Sequence, residues 1–155
     1  MDFVDELEKK KRISTLQLLM RCARLANEYS LSRLPETDGV RPRAAHTALF
    51  PHIDHEGTRL SELARRVGIS KQAVGQLVDD LEAMGAVERV PDPDDGRAKR
   101  VAFTEQGRRG LMEGLSHLLR IEDELGQGME PDAMDRLRTL LLELQERLQE
   151  VTGDP

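Results

Sequence analysis

The stretch from Leu60 to Leu81 constrains the fold of this chain more tightly than any other part of the sequence. Its apolar residues recur at three- and four-residue steps in two short runs, as in two amphipathic helices. Two helices that cross steeply need a small residue at their closest approach, here Ala64, and a turn residue free to adopt positive φ, here Gly68. We expect Ile69 and Val74 to fill the corner between them. The pattern predicts a helix-turn-helix, whose inner faces are Leu63, Ala64 and Val67 and Val74, Leu77, Val78 and Leu81.

The second helix of this pair has a polar face that suits DNA. Ser70 is a suitable N-cap, and a helix N-terminus favours a nearby phosphate. Lysine can contact guanine and glutamine can pair with adenine in the major groove, so Lys71 and Gln72 favour base recognition. The alternative is a structural helical hairpin whose polar side meets only water. The polar face consists of Ser70, Lys71, Gln72, Gly75, Gln76 and Asp79.

Around this motif the periodicities predict one mainly α-helical domain with about six helices and a two-stranded β wing. Pro51 should kink or end the second helix, and two prolines and a glycine predict a loop over 32–42. The predicted elements are helices over 3–31, 43–53, 61–67 and 71–84, strands over 87–90 and 100–103, and helices over 105–125 and from 131 onward.

The formal net charge of −6 argues against a nucleic-acid partner, but its distribution weakens that argument. Between Thr58 and Arg109 there are ten lysines and arginines and nine aspartates and glutamates, a net charge of +1. The remaining residues carry 13 basic and 20 acidic groups, a net charge of −7. A locally basic surface can bind phosphate within an acidic molecule. A solvated face of mixed charge remains the alternative on charge alone.

Three stretches carry a family resemblance: Ser70 to Val74 with Leu77 to Glu82 and Gly85, then Asp92 to Ala98, then Phe103 to Gly107. Together they resemble the MarR (multiple antibiotic resistance regulator) family of winged helix-turn-helix regulators. The resemblance spans nearly the whole chain. It implies a homodimer that binds double-stranded DNA at a pseudo-palindromic operator, acts as a repressor and responds to a small-molecule effector.

The resemblance also assigns roles within the loop between the two strands, the wing. Arg97 at its tip enters the minor groove, and Asp95 orients that arginine. The physical argument agrees, because a narrow minor groove concentrates negative potential that attracts arginine. Three aspartates in one loop would repel phosphate, so we expect Asp95 to be turned inward. The alternative is a hairpin tip with an incidental salt bridge.

On this interpretation residues 58–104 form a DNA-binding lobe. Its proposed contacts are Lys71, Gln72, Ala73 and Gln76 to base edges, Ser70, Lys99 and Arg100 to the phosphate backbone, and Arg97 to the minor groove.

The last helix carries a heptad seam that predicts dimerisation. Its apolar residues follow spacings of 3, 4, 3, 4 and 3, which is narrower than a globular helix requires. The seam is too short for a free-standing coiled coil, so it should pack with the first helix, and we assign 3–31 and 105–151 as dimerisation helices. An intrachain face is the alternative. The seam consists of Met134, Leu137, Leu141, Leu144, Leu148 and Val151.

The effector is less constrained by the sequence. The resemblance points to a crevice near the first, second and fifth helices, with Arg24, His46 and Phe50 as candidate wall residues. Cys22 is expected to be a packing residue. A thiol-responsive sensor through Cys22, a metal-responsive sensor through His46, His52 and His55, and an interaction module without DNA binding remain alternatives.

Other classes of protein are disfavoured. No nucleophile-elbow, dinucleotide, P-loop or zinc-protease motif occurs, so we predict no enzyme, no cofactor and no metal. One cysteine excludes an internal disulfide framework. No apolar run approaches the roughly 18 residues of a membrane span, and the acidic start lacks a signal-peptide pattern. We therefore expect a cytoplasmic protein.

Overall fold

The computed structural model describes residues 2–34 and 42–153. Most of the loop predicted over 32–42 lies outside the described residues. Seven α-helices, a 3₁₀ turn and a three-stranded antiparallel sheet within the described residues confirm the predicted fold class, a mainly helical winged helix-turn-helix. In chain order they are α1 (Phe3–Ile13), α2 (Thr15–Ser32), α3 (Ala44–Thr47), the 3₁₀ turn (Phe50–His52), β1 (Thr58–Arg59), α4 (Leu60–Val67), α5 (Lys71–Ala83), β2 (Val87–Pro91), β3 (Lys99–Phe103), α6 (Glu105–Gly126) and α7 (Ala133–Thr152).

The chain divides into two compact units, residues 1–112 and residues 113–155. The first unit contains every element from α1 to β3 and the start of α6. The second contains the rest of α6 and α7, which are joined by an ion pair between Arg138 and Glu122 (3.1 Å). Ile121 of α6 is buried, whereas α7 has no buried residue.

The main apolar core lies in the first unit and forms around the helix-turn-helix. Gly68 has φ = 76°, and its N–H donates to the carbonyl of Ala64 (2.9 Å), as the sequence predicts for the turn. Val74 is fully buried, but Ile69 is 39% exposed, so the expectation that Ile69 fills the corner is wrong. The buried residues of this core are Leu49, Ile53, Leu63, Ala64, Val74, Val78, Leu81, Val87 and Val101.

The sheet has one strand more than the sequence predicts. Its order is β1-β3-β2, and β1 pairs Thr58 with Val101 and Arg59 with Arg100. A two-residue strand is too short to show an alternating pattern, so its partner β3 is what defines it. Because β1 pairs with β3, Arg59 lies directly beside the base of the wing.

Two predicted helices are interrupted. The helix expected over 3–31 breaks at Ser14, which is extended and whose hydroxyl accepts the N–H of Gln17 (3.4 Å) to cap α2. The helix expected over 43–53 is the single turn α3 followed by the 3₁₀ turn that contains Pro51. Capping by serine and the missing N–H of proline explain the two breaks.

The end of α5 and the start of α6 are fixed together at a tight contact, which we call the α5–α6 joint (Gly85, Ala86, Thr104 and Gly107). The Thr104 hydroxyl donates to the carbonyl of Gly85 (2.6 Å) and accepts the N–H of Gly107 (2.9 Å). A Cβ atom at Gly107 would lie 1.8 Å from the carbonyl oxygen of Ala86. Only glycine fits there.

Candidate nucleic-acid interface

Helix α5 presents its polar face to solvent. Val74, Val78 and Leu81 are fully buried beneath it, so the opposite side of the helix faces outward. Ser70 caps its start by accepting the N–H of Ala73 (3.1 Å), so the predicted phosphate-contacting hydroxyl already serves as the helix cap. Of the predicted base-facing residues, Lys71, Gln72 and Gln76 are exposed and Ala73 is half-buried.

A cluster of polar side chains holds α5 from the side of α3. The side chain of His46 is 1% exposed, and its Nε2 lies 3.1 Å from Oδ2 of Asp80 on α5. Arg43 donates to the same oxygen (2.8 Å). The hydrogen bond from His46, followed by that from Arg43, lowers the pKa of Asp80 below its ordinary value.

The C-terminal half of α5 carries acidic side chains that Arg89 of β2 neutralises. Its guanidinium donates to Asp79 (2.7 Å) and to Glu82, and the backbone N–H of Arg89 also donates to Glu82 (3.0 Å). Asp79 and Glu82 therefore have a counter-charge within the chain, which reduces their repulsion of a phosphate backbone.

The wing is braced by Asp92 rather than by the predicted Asp95. The Asp92 side chain is fully buried; it accepts hydrogen bonds from Arg59 and from the backbone N–H of Asp94 (2.9 Å), and Arg100 lies 3.1 Å away. The hydrogen bond from Arg59 contributes most to holding the pKa of Asp92 far below its ordinary value.

The expectation that Asp95 turns inward is wrong, because Asp95 is exposed. Its carboxylate accepts the backbone N–H of Arg97 (3.1 Å) and so shapes the loop. The structure records no bond between that carboxylate and the Arg97 guanidinium within the wing, which is described without a gap.

Lys99 and Arg100 behave differently although they are adjacent. Successive residues of a strand point to opposite faces. Lys99 is exposed, whereas the Arg100 side chain is 17% exposed and pairs with Asp92 and Asp94 (2.8 Å). Arg100, predicted to contact phosphate, is therefore engaged as an internal brace of the wing.

The lysines and arginines of residues 42–112 form two groups, those that pair with a carboxylate of the same chain and those that do not. Carboxylates of the same chain pair with Arg43, Arg59, Arg65, Arg66, Arg89, Arg100, Arg108 and Arg109. Of the lysines and arginines in this fully described stretch, only Lys71, Arg97 and Lys99 form no ion pair with a carboxylate. The unpaired cations lie at the start of α5 and on the wing.

Comparison with known proteins agrees with this architecture. A family model described as the MarR family matches residues 41–98. An uncharacterized protein of Mycobacterium tuberculosis is 28% identical over 130 residues, which cover 77% of this chain and 91% of that protein. A cysteine-to-serine variant of MarR from E. coli has a TM-score of 0.64 and 25% identity, over 86% of this chain and 97% of that one. CouR from Rhodococcus jostii, solved with bound p-coumaroyl-CoA, has a TM-score of 0.62 and 24% identity, over 93% of this chain and 95% of that one.

This chain resembles the MarR family over residues 41–98, the range that the family model matches. Its fold is that of the MarR-family transcriptional regulators, and the matched range 41–98 contains α3, the helix-turn-helix and the tip of the wing.

The three effector-wall candidates do not surround one groove in this chain. Arg24 lines an open groove of about 580 Å³ that includes neither His46 nor Phe50. The ring of Phe50 packs against Phe103, with centroids 5.8 Å apart. His46 is buried and bonded to Asp80. The residues that line the groove are Glu8, Lys11, Gln17, Met20, Arg21 and Arg24.

The terminal helices of this chain leave many of their apolar residues exposed. In the predicted seam of α7, Leu137, Leu141, Leu148 and Val151 are exposed, and Met134 and Leu144 are half-buried. Cys22 on α2 is also exposed, so the expectation that it packs inside one chain is wrong. Leu16, Met20 and Leu25 on the same helix are exposed as well.

Two further features concern the alternatives. Among the described residues, no cluster of three or more His, Cys, Asp or Glu side chains could hold a metal ion. No helix in the described parts of the chain combines the length and apolar character needed to cross a bilayer.

Proposed function

We propose that this chain is a MarR-family transcriptional regulator, acting as a repressor, that binds a pseudo-palindromic DNA operator as a homodimer. The observation that carries the proposal is the placement of the unpaired cations. Lys71, Arg97 and Lys99 are the lysines and arginines of residues 42–112 without an internal counter-charge, and a phosphate polyanion would supply it.

In this proposal α5 enters the major groove. Lys71, Gln72 and Gln76 reach base edges from its exposed face, Ala73 lies close to the bases, and Ser70 sets the helix N-terminus against a phosphate. Arg97 enters the adjacent minor groove and Lys99 contacts the backbone. Asp92, Arg59 and Arg100 hold the wing in the shape that presents Arg97.

A homodimer accounts for the exposed seam of α7. One recognition helix reads only a few base pairs, whereas a two-fold dimer presents two of them to half-sites about one helical turn apart. Leu137, Leu141 and Leu148 are exposed in one chain, and a second copy would cover them.

Regulation by a small molecule is the second part of the proposal. CouR, which has this fold, is bound to p-coumaroyl-CoA in its solved structure. An effector changes DNA affinity only through its differential affinity for the two states of the protein. A response that survives both Cys22→Ser and chelation of metals would separate an organic effector from a thiol- or metal-responsive sensor.

The proposal is tested by selecting genomic fragments that bind the full chain and measuring affinity across a salt series. Arg97→Ala should weaken binding to the selected duplex by about 1–3 kcal/mol and reduce the salt slope by about one unit per subunit. Arg147→Ala is the matched control, because Arg147 is an exposed arginine paired with Glu150 on α7.

Two results would contradict the proposal. If no genomic fragment shows salt-dependent binding, the chain is an interaction module rather than a DNA-binding regulator. If Arg97→Ala and Arg147→Ala have equal effects, the wing has no part in the interface.

A further inference from the structure

Helix α3 is a single turn that side chains attach to two other helices. On one side, the Thr47 hydroxyl donates to Oδ1 of Asn27 on α2 (3.1 Å). On the other side, His46 contacts Asp80 on α5 (3.1 Å). These two bonds link α2 to α5 through consecutive residues of α3.

The hydrogen bonds of His46 fix its tautomer. The backbone N–H of Arg43 points at Nδ1 (3.0 Å), so Nδ1 accepts and carries no proton. In the neutral ring the proton is then on Nε2, which donates to Asp80. The ring is 1% exposed and both nitrogens are satisfied, so the buried polar group has no unpaired atom.

Asp80 occupies a position on α5 that matters for base contact. Residues four apart are neighbours on a helix surface, so Gln72, Gln76 and Asp80 follow one another along a single row. Gln72 and Gln76 have exposed side chains, whereas Asp80 at the end of the row is tied to His46 and Arg43. The tie restrains rotation of the helix about its own axis.

We propose that His46 is a positioning residue for the DNA interface: by holding Asp80 it fixes the rotation of α5 and thereby the register of Gln72 and Gln76 against base edges. The effect of His46 on base recognition rests on the proposed function. Its restraint of α5 does not depend on DNA, so the restraint and the effect on recognition are tested separately.

The first experiment uses the full chain without DNA. His46→Asn keeps an acceptor near the position of Nδ1 for the Arg43 N–H but cannot reach Asp80, whereas His46→Gln places an amide donor near Nε2. Hydrogen–deuterium exchange of residues 71–83 should rise about tenfold in His46→Asn and much less in His46→Gln. His52→Asn, on the neighbouring 3₁₀ turn, is the control and should leave α5 unchanged.

A double-mutant cycle identifies the partner. Asp80→Ala, which leaves no acceptor for the Nε2–H of His46, should increase the exchange of α5 as His46→Asn does, and combining the two should add little, because both remove the same bond. Unchanged exchange of α5 in His46→Asn, or fully additive effects in the double variant, would overturn the proposal.

The second experiment uses the duplex selected by the wild-type chain and a set of its single-base-pair variants. His46→Asn should reduce discrimination between the selected duplex and its variants about tenfold while leaving the salt slope unchanged. Lys71→Ala, in contrast, should reduce the slope of DNA affinity against salt concentration. Uniform weakening on all duplexes, without lost discrimination, would refute a positioning role. If the wild type selects no duplex, the proposed function fails, while the exchange measurements still decide whether His46 restrains α5.

Discussion

The winged helix and the terminal helices of this chain bury their apolar residues very differently. Nine buried apolar residues between Leu49 and Val101 form one cluster that includes α4, α5 and the sheet. In contrast, α1 and α7 have no buried residue, and the only buried residue of α2 is Ser30. The winged helix thus completes its core within one chain, whereas the terminal helices keep apolar surface that, on our proposal, a second copy covers.

The ion pairs of the two regions differ in the same way. In the winged helix several join residues far apart in sequence, such as Arg59 with Asp92 and Arg43 with Asp80, and so fix tertiary geometry. In α1, α2 and α7 most are local pairs on one helix surface, such as Lys10 with Glu6. Local exposed pairs contribute only a few tenths of a kcal/mol each. Ion pairs therefore help to fix the tertiary geometry of the proposed interface in the winged helix, whereas in the terminal helices they are mainly local pairs on the surface.

The largest effect is expected from a charge in the seam of α7. Leu144→Asp should convert dimers to monomers, because an unpaired buried carboxylate costs about 3 kcal/mol or more, roughly a hundredfold in the dissociation constant. Sedimentation measures the change. Thr139→Asp puts the same charge on the opposite face of α7 and should leave the dimer intact. Persistent dimers of Leu144→Asp would mean that another surface holds the copies together.

The second prediction concerns the α5–α6 joint. Gly107→Ala should lower the free energy of unfolding by about 2–3 kcal/mol, because its Cβ would collide with the carbonyl of Ala86. Gly110→Ala is a close control, since nothing lies within 4 Å of that Cβ, and alanine there should stabilise the helix by about 0.5–1 kcal/mol. Urea denaturation compares them. If both variants change the free energy of unfolding by equally small amounts, the α5–α6 joint relaxes to accommodate the added Cβ atom.

The smallest expected effect concerns the buried carboxylate of the wing. Asp92→Asn should lower the Tm by about 5 °C at pH 7, because Arg59 and Arg100 lose their shared counter-charge. Asp94→Asn, a neighbouring exposed carboxylate, should change the Tm little.

The same variant predicts a dependence on pH. The pKa of folded Asp92 lies below the unfolded value of about 3.9, so its contribution to stability is present above about pH 5 and is lost as the pH falls toward the folded pKa. The difference in Tm between wild type and Asp92→Asn should therefore shrink from pH 7 to pH 3.5. A constant difference would contradict the linkage.

Local patterns were enough to predict the helix-turn-helix, because Ala64 and Gly68 act on residues close to them in sequence. They could not identify Asp92, since its partner Arg59 lies 33 residues away on a strand of two residues. The resemblance directed attention to Asp95 instead. The resemblance likewise places His46 at an effector wall, because no local pattern shows its partner Asp80, which lies 34 residues away.

The side chains proposed to read DNA make no internal bonds. Within residues 42–153, Lys71, Gln72 and Gln76 form no hydrogen bond or ion pair through their side chains, whereas Asp80, next along the same row, holds the helix in place. Exchanging the first three should therefore redirect the protein to other target sequences while leaving its scaffold intact. The chain separates what it recognises from what keeps it folded, which suits both evolutionary divergence and deliberate retargeting.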